Sequence, residues 1–351
     1  MKNEKNILID YILKNIDPTN PCLFSGVAGN IILLYQLSRV TKNKSYELQA
    51  DQLLDTLFNL DKKKILNSDF ASGLSGIGWS INYLLKHEFC SGNPDEILED
   101  IDTLVFKDIS QDKKIPMNLL NGLIGYLLYL ICRLENVNNS NNFSINKELF
   151  KKLINEIDQI APGNLALLTK DYKFDMLWPF PLLFFSLSKS LKLGIYNEKI
   201  VNSLKQWMMH IETALPTLHS NRLYLAISLY KLNEIIFFPE IDKHIYNLLY
   251  SIDFNKMLEE CDVNSFCFNF SWMGQAFLLK EATLIFDKKV PNYAFFDEQR
   301  LRIIKKCKKK YFENILKCIQ EEDKENPLMT GLFNGLSGIY FMFLSYPEYF
   351  E

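Results

Sequence analysis

Seven copies of one kind of segment recur along this 351-residue chain, and this repeat constrains the fold more than any other feature. In each copy, a short turn of small residues leads directly into a segment that is apolar on nearly all sides. Four copies have glycine at both positions of a Gly-x-x-Gly pattern, namely Ser25–Gly29, Ser72–Gly76, Asn121–Gly125 and Asn334–Gly338. A long-period repeat of this kind indicates supersecondary units that pack on their neighbours.

Three further copies occupy the expected positions but lack one or both glycines. Ser271–Gly274 retains only the second glycine, and the segments Pro179–Leu182 and Asn221–Tyr224 retain neither. The second small-residue position falls at residues 29, 76, 125, 182, 224, 274 and 338, so successive copies are 42 to 64 residues apart. A spacing of about 50 residues accommodates two helices of ordinary length and their loops.

Amphipathic segments alternate with these apolar ones. In Ile145–Ile160, for example, Leu149, Leu153 and Ile157 recur on one face at helical spacing, and Lys152 falls on the other face. The amphipathic segments predict seven outer helices: Glu4–Ile16, Tyr46–Asp61, Asp95–Gln111, Ile145–Ile160, Asn197–Leu215, Glu240–Glu260 and Asp297–Glu321.

The fold class predicted from this alternation is all-α, an α/α toroid in which seven inner helices are surrounded by seven outer ones. Helices that are apolar on more than one stripe must be buried on nearly all sides. An open solenoid is the alternative, but it would expose one face of the inner layer. We expect residues 1–351 to form a single domain of this kind.

The glycines are expected to have a structural role. They would allow a sharp turn with positive φ at the start of each inner helix, and they would let neighbouring helix ends approach closely. All the inner helices would then begin on one face of the ring. The turns that precede them would line a central pocket, where residues could carry chemistry.

Composition excludes several classes of function. A chain with 48% hydrophobic and 23% charged residues is a folded protein. The net charge of -3 argues against nucleic acid or an anionic membrane surface as a partner. The longest apolar run in the clear copies, Gly122–Cys132, has 11 residues, whereas about 20 are needed to span a bilayer. Seven cysteines without a C-x-x-C pair favour a reduced, cytoplasmic protein.

This arrangement of repeats resembles the lanthionine synthetase C-like family. The resemblance spans about residues 7 to 346 and is strongest in the last copy, Gly331–Ile339. It implies an α/α toroid. In the bacterial cyclases of that family, zinc activates a peptide cysteine thiol for attack on dehydroalanine or dehydrobutyrine, which closes a thioether ring. This chemistry is intelligible because zinc stabilises a thiolate and a catalytic site keeps one coordination position open.

The chain departs from the family at each position that the resemblance assigns to zinc chemistry. The family's motifs are A-H-G before the fourth inner helix, W-C-x-G at the fifth and C-H-G at the sixth. Here Trp178 stands at the acid/base histidine, and His219 at the first cysteine. Asn269 stands at the second cysteine and Phe270 at the metal-binding histidine. The metal positions therefore correspond to His219, Asn269 and Phe270, and we expect neither zinc nor another cofactor.

The degenerate turns are nevertheless the predicted substrate-binding region, with His219 as the candidate catalytic residue. They are rich in aromatic residues, which predicts a pocket suited to an extended peptide or an apolar group. The alternative is that the rings fill the space left by the metal site; they include Phe180, Tyr224 and Phe268. The predicted substrate-binding residues are Trp178, His219, Ser220, Asn221, Asn269, Phe270 and Trp272.

Three functions remain open at this point. The favoured one is a metal-free scaffold that binds a precursor peptide, or a modifying enzyme such as a dehydratase, in lanthipeptide-type maturation. The second is a divergent cyclase that activates a thiol through His219; a metal site of His219, Cys267 and one further ligand is conceivable but has no known spacing. The third is a carbohydrate-active enzyme in which Asp175 and Asp262 supply acid/base chemistry.

Overall fold

The computed structural model describes residues 2–60, 67–111, 114–135, 143–171, 173–261, 265–286, 293–321 and 328–345. The regular secondary structure within these ranges is entirely α-helical. In chain order the helices are α1 (Lys2–Lys14), α2 (Val27–Thr41), α3 (Lys44–Asn59), α4 (Leu74–Lys86), α5 (Pro94–Ile97), α6 (Glu99–Ser110), α7 (Leu123–Glu135), α8 (Phe143–Leu168), α9 (Pro179–Lys192), α10 (Asn197–Glu212), α11 (His219–Asn233), α12 (Pro239–Tyr250), α13 (Phe254–Met257), α14 (Trp272–Ile285), α15 (Tyr293–Glu321) and α16 (Leu336–Ser345).

The predicted alternation of helices is confirmed. The seven inner helices are α2, α4, α7, α9, α11, α14 and α16, and each begins at or within a few residues of a copy of the repeat. Among the outer helices, α8 extends beyond the predicted end through Pro162, because Ala161 and Leu165 continue its buried face. The predicted helix Glu240–Glu260 instead stops at Tyr250 and is followed by the single turn α13.

The chain forms two compact units. Unit 1 comprises Met1–Asp61 and Leu258–Glu351, and unit 2 comprises Lys62–Met257. In unit 1, α2 packs against α3 and α16, and α14 packs against α15 and α16. In unit 2, the inner helices α4, α7, α9 and α11 pack in sequence, each also against an outer helix. The first and last copies of the repeat are therefore neighbours within unit 1.

The turns of the four clear copies close in the same way. In each, the amide of the first helical residue donates a hydrogen bond to the carbonyl seven residues earlier, which draws the turn into a tight loop. These bonds are Val27 to Asn20 (2.8 Å), Leu74 to Asn67 (3.2 Å), Leu123 to Pro116 (2.9 Å) and Leu336 to Met329 (2.9 Å).

The expectation of positive φ at the repeat glycines is wrong. Gly26 and Gly73 have φ of -130° and -117°, values that any residue can adopt. Glycine is needed because the closed loop leaves no room for a side chain. A Cβ added to Gly122 would lie 2.2 Å from the carbonyl oxygen of Pro116. The predicted close approach is observed, since a Cβ on Gly125 would lie 2.6 Å from the Cβ of Phe70 in the preceding copy.

Candidate functional site

The fourth copy of the repeat holds Trp178 immediately before α9. Its backbone amide donates a hydrogen bond to the carbonyl of Asp175 (3.0 Å), and Pro179 begins the helix. The Trp178 side chain is buried, and its ring lies 5.9 Å from that of Phe180. The residue at the family's acid/base position is therefore an apolar ring packed within unit 2.

His219 is the first residue of α11, and its Nδ1 atom acts as a hydrogen-bond acceptor. The backbone amide of Asp253 donates to this nitrogen at 3.1 Å. The guanidinium of Arg222, which can only donate, lies 3.3 Å from the same atom. In this arrangement the neutral imidazole carries its proton on Nε2.

Arg222 also fixes the segment around His219. Its side chain donates to the carbonyls of Pro216 (2.8 Å) and Ser251 (2.6 Å), so it joins the turn before α11 to the segment after α12. Sequence reasoning did not identify this residue, although an arginine in the first turn of an inner helix was a visible signal. Its role depends on contacts with a segment 29 residues further along the chain.

Asp171 is a second residue that sequence reasoning did not identify. Its carboxylate accepts hydrogen bonds from the amides of Thr217 and Leu218, both at 2.8 Å. It also accepts a hydrogen bond from the side-chain amide of Asn221 at 3.1 Å. A carboxylate at the start of a helix is favoured by the unpaired amides and by the helix dipole. Asp171 therefore caps α11 from a loop that precedes α9.

The predicted residues Ser220 and Asn221 are both buried in the first turn of α11. The side-chain amide of Asn221 donates to Asp171 and to the carbonyl of Lys173 (3.2 Å). Its Oδ1 atom accepts no hydrogen bond within the described part of the chain. A buried oxygen of this kind is costly unless water or a ligand supplies a donor.

The sixth copy of the repeat, in unit 1, holds the other predicted residues. Asn269 is buried; its side-chain amide donates to Oδ1 of Asn334 at 3.4 Å, and its own Oδ1 has no donor among the described residues. Phe270 is half-buried and Trp272 is buried as the first residue of α14. Ser271 caps this helix by accepting a hydrogen bond from the amide of Met273 (3.2 Å).

The remaining candidates give little support to the alternative chemistries. Cys267 is half-buried, and its sulfur lies 3.0 Å from the hydroxyl oxygen of Ser265. Asp175 accepts a hydrogen bond from the amide of Leu177 at 2.8 Å, and burial raises the pKa of its carboxyl group. Asp262 lies outside the described residues.

The residues at the family's metal positions do not fit a zinc ion. Phe270 has no donor atom, and Nδ1 of His219 is engaged by an amide and faces the positive charge of Arg222. Metal-binding histidines typically use one nitrogen for the metal and donate from the other, the reverse of the hydrogen bond seen here. Among the residues that the structure describes, no group of three or more His, Cys, Asp or Glu side chains could hold a metal ion.

Most of the aromatic residues of the degenerate turns are buried. Trp178, Phe180, Tyr224 and Trp272 are buried. The Tyr224 hydroxyl donates to the carbonyl of Met176 at 3.0 Å, and burial raises its pKa. Their burial favours the interpretation that these rings fill space. Among the predicted aromatic substrate-binding residues, half-buried Phe270 is more accessible than Trp178 and Trp272.

Two further observations concern surfaces. A cavity of about 470 Å³ lies after the carboxyl end of α4, where it is lined by Leu85 and residues 88–92, none of which is a predicted site residue. Within the ranges described, no helix is both long enough and apolar enough to cross a membrane.

The helices and turns define an all-α repeat protein of the α/α toroid class. The inner helices of the first and last copies, α2 and α16, are in contact within unit 1. The same fold is found in a solved structure of nisin cyclase, which matches this chain with a TM-score of 0.64 at 14% sequence identity. The match covers 99% of this chain and 93% of that one.

A sequence model of the lanthionine synthetase C-like proteins matches residues 17–175. The match covers the first three copies of the repeat and ends before Trp178, whereas the likeness in fold extends over the whole chain. The predicted resemblance to the lanthionine synthetase C-like family is therefore confirmed over residues 17–175, and the predicted fold class is confirmed over the whole match in structure.

Proposed function

We propose that this protein is a metal-free lanthionine synthetase C-like protein that binds a precursor peptide, or a partner modifying enzyme, during lanthipeptide-type maturation in the cytoplasm. Similarity to the family over residues 17–175 and a fold shared with nisin cyclase support a role in this kind of peptide maturation. The metal-free part of the proposal rests on the hydrogen bonding of the His219 ring. Its Nδ1 atom accepts the amide of Asp253, and Arg222 lies beside it.

Electrostatics and coordination chemistry support the same proposal. Coordination through Nδ1 of His219 would require loss of the hydrogen bond from Asp253 and would place a divalent cation beside the guanidinium of Arg222. Coordination through Nε2 would leave Nδ1 accepting the Asp253 amide, whereas the free nitrogen of a metal-bound histidine normally donates a hydrogen bond. The amide of Asn269 is a poor substitute for a thiolate, because zinc prefers nitrogen and sulfur ligands.

A zinc measurement tests the metal-free proposal. We expect the purified full chain, exposed to zinc and then exchanged into metal-free buffer, to retain far less than one zinc ion per chain. The thermal unfolding midpoint should be the same before and after the exposure, since a tightly bound ion would stabilise the folded state. One tightly held zinc ion per chain, lost in His219→Ala but retained in the control His210→Ala, would overturn the proposal.

The buried amide oxygens support the peptide-binding part. Oδ1 of Asn221 in unit 2 and Oδ1 of Asn269 in unit 1 each lack a donor among the described residues. A peptide backbone offers N–H groups of the kind that would satisfy such oxygens. Phe270 adds a half-buried ring beside Asn269 that could contact an apolar side chain.

Binding is tested with a fluorescently labelled, dehydrated precursor peptide that contains cysteine. We expect saturable binding that Phe270→Ala weakens about fivefold or more, because a contacting ring is lost. The control Phe58→Ala removes an exposed ring on outer helix α3 of the same unit and should leave binding unchanged. Absence of binding by the wild-type chain, with or without a co-expressed dehydratase, would contradict the proposal.

The same mixture separates a scaffold from a divergent cyclase. We expect the peptide's cysteine to remain open to alkylation after incubation, since a scaffold closes no thioether ring. Loss of the free thiol that requires His219 and persists in His210→Ala would instead favour the cyclase. The mass of the alkylated peptide distinguishes these results directly.

A further inference from the structure

A buried arginine in unit 2 joins two carboxylates from different helices. Arg133 lies in the last turn of inner helix α7, and its side chain is fully buried. Its Nη2 atom donates to Asp102 on outer helix α6 (2.8 Å) and to Asp95 on the short helix α5 (2.7 Å). Because a guanidinium stays charged in proteins, its burial depends on these two carboxylates.

The two carboxylates hold the guanidinium unequally. The side chain of Asp102 is 2% exposed, and it accepts hydrogen bonds from Nε at 3.1 Å as well as from Nη2, so it occupies one edge of the fork. The hydroxyl of Tyr129, one turn earlier on α7, also donates to Asp102. The side chain of Asp95 is 23% exposed and accepts a single hydrogen bond from Arg133, through Oδ1. Asp102 therefore anchors the arginine, and Asp95 is its weaker partner.

The second edge of the guanidinium is only half used. An arginine presents Nη1 and Nη2 as two parallel donors that fit both oxygens of one carboxylate. Asp95 engages Nη2 alone, and the buried Nη1 of Arg133 has no acceptor within the ranges that the structure describes. A buried donor in this state is costly, and a carboxylate free to align with both nitrogens would satisfy it.

The segment that carries Asp95 is short and borders an open space. Helix α5 has four residues, none of them buried. Residues 88–92, which lead into it, line the cavity of about 470 Å³ after α4. Within them, Gly92 has φ of +152°, a conformation that other residues rarely adopt. The cavity gives this segment room to move, and such a movement would withdraw Asp95 from Arg133.

We propose that Arg133 is a binding site for a carboxylate ligand, which replaces Asp95 and engages Nη1 and Nη2 together. The exchange leaves the charge around Arg133 unchanged, because one carboxylate enters as another leaves. It also gains the hydrogen bond to Nη1 that Asp95 does not make. The carboxylate belongs to a small molecule or to the C-terminus of a peptide. None of these residues is assigned to the proposed peptide binding, so the site does not depend on that function.

Chemical rescue of Asp95→Ala tests the site. This variant removes the internal carboxylate and should lower the thermal unfolding midpoint of the full chain. Acetate should restore the midpoint, since it binds only the folded state, whereas acetamide has the same shape without the charge and should not. The control Glu198→Ala removes an exposed carboxylate from the first turn of α10 in the same unit, and acetate should affect it no more than it affects the wild type.

Direct binding to the wild-type chain supplies a measurement that needs no variant to fold. Saturation-transfer NMR should show saturable binding of N-acetylglycine and none of N-acetylglycinamide, which lacks the carboxylate. Asp95→Ala should bind N-acetylglycine about tenfold more tightly or better, because the internal competitor is gone.

Comparison of acids identifies the source of the carboxylate. Equal affinity for acetate and acetyl-triglycine supports a small carboxylate, and tighter binding of acetyl-triglycine supports a peptide C-terminus. The proposal is overturned if the wild-type chain binds N-acetylglycine and its amide equally, or binds neither. It is also overturned if acetate and acetamide rescue Asp95→Ala to the same extent, or if acetate raises the midpoint of Glu198→Ala as much, because a general solvent effect would then explain the rescue.

Discussion

Substitution of Gly122 by alanine tests the explanation given for the repeat glycines. The added Cβ would lie 2.2 Å from the carbonyl oxygen of Pro116 and 2.6 Å from that of Asn118. Relief requires the loop to open, which breaks the 2.9 Å hydrogen bond from the Leu123 amide to Pro116. Overpacking costs about 1–3 kcal/mol and the lost hydrogen bond about 1 kcal/mol. We therefore expect the free energy of unfolding to fall by about 2–4 kcal/mol.

Two other glycines of unit 2 provide controls of different sign. Gly163 lies in α8, and a Cβ there would have no atom within 4 Å, so Gly163→Ala should stabilise the protein by about 0.5–1 kcal/mol through helix propensity. Gly194 has φ of +71° with no neighbour near the added Cβ, so Gly194→Ala should cost about 1 kcal/mol through backbone strain alone. The three substitutions add the same methyl group and separate contact, propensity and strain.

Urea and thermal unfolding followed by far-ultraviolet circular dichroism measure these differences. For a unit of this size, about 2–4 kcal/mol corresponds to a fall in midpoint of roughly 5–15 °C. The expected order of stability is Gly163→Ala, wild type, Gly194→Ala and then Gly122→Ala. If Gly122→Ala unfolds at the wild-type midpoint, or if Gly194→Ala is the more damaging change, the steric explanation is wrong.

Two further outcomes follow from buried titratable groups. Nε2 of buried His244 donates to the carbonyl of Ala214 (3.0 Å), and burial lowers its pKa below the usual 6.5. As the pH falls, His244 takes up a proton in the unfolded chain before it does so in the folded protein, so the free energy of unfolding should decrease below about pH 6.5. Between pH 7.5 and 5.5 the urea midpoint should therefore fall less in His244→Gln than in the wild type. Burial raises the pKa of Cys132 to about 12. Iodoacetamide at pH 8 should leave Cys132 unmodified in the folded protein and alkylate it in urea, which mass spectrometry of peptides would detect; native alkylation as rapid as that of half-buried Cys318 would contradict this expectation.

The longer helices were predictable from the sequence because an apolar run or a helical spacing of apolar residues identifies each of them locally. The apolar run after Gly122 and the three- and four-residue spacing of Leu149, Leu153 and Ile157 each identify a helix without knowledge of its partners. The conformation of the repeat glycines was not predictable in the same way. The repeated Gly-x-x-Gly pattern indicates that these positions need a small residue. It does not indicate whether glycine is needed for a positive φ or because a carbonyl oxygen lies close by.

The contacts around His219 could be predicted only in part. Its place at a family metal position follows from the repeat, whereas the state of its ring depends on the Asp253 amide, 34 residues away. Asp171 lies 46 residues before Thr217, which it caps, and nothing in the local sequence indicates that contact. Hydrogen bonds between distant segments depend on the packing of helices, and a single sequence does not encode them in a local pattern.

The fifth copy of the repeat also suggests why glycines and metal ligands are missing from the same turn. In the intact copies the turn is closed by its own backbone, and this requires glycine. In the fifth copy, Asp171 satisfies the amides before α11 and Arg222 satisfies the carbonyls, so side chains replace the closed loop. At the second small-residue position, the hydroxyl of Tyr224 bonds to Met176 of the preceding copy, where glycine elsewhere permits direct packing. A turn held by these side-chain hydrogen bonds no longer needs glycine, and Arg222 places a positive charge beside His219, which stands at a position that the resemblance assigns to a metal ligand.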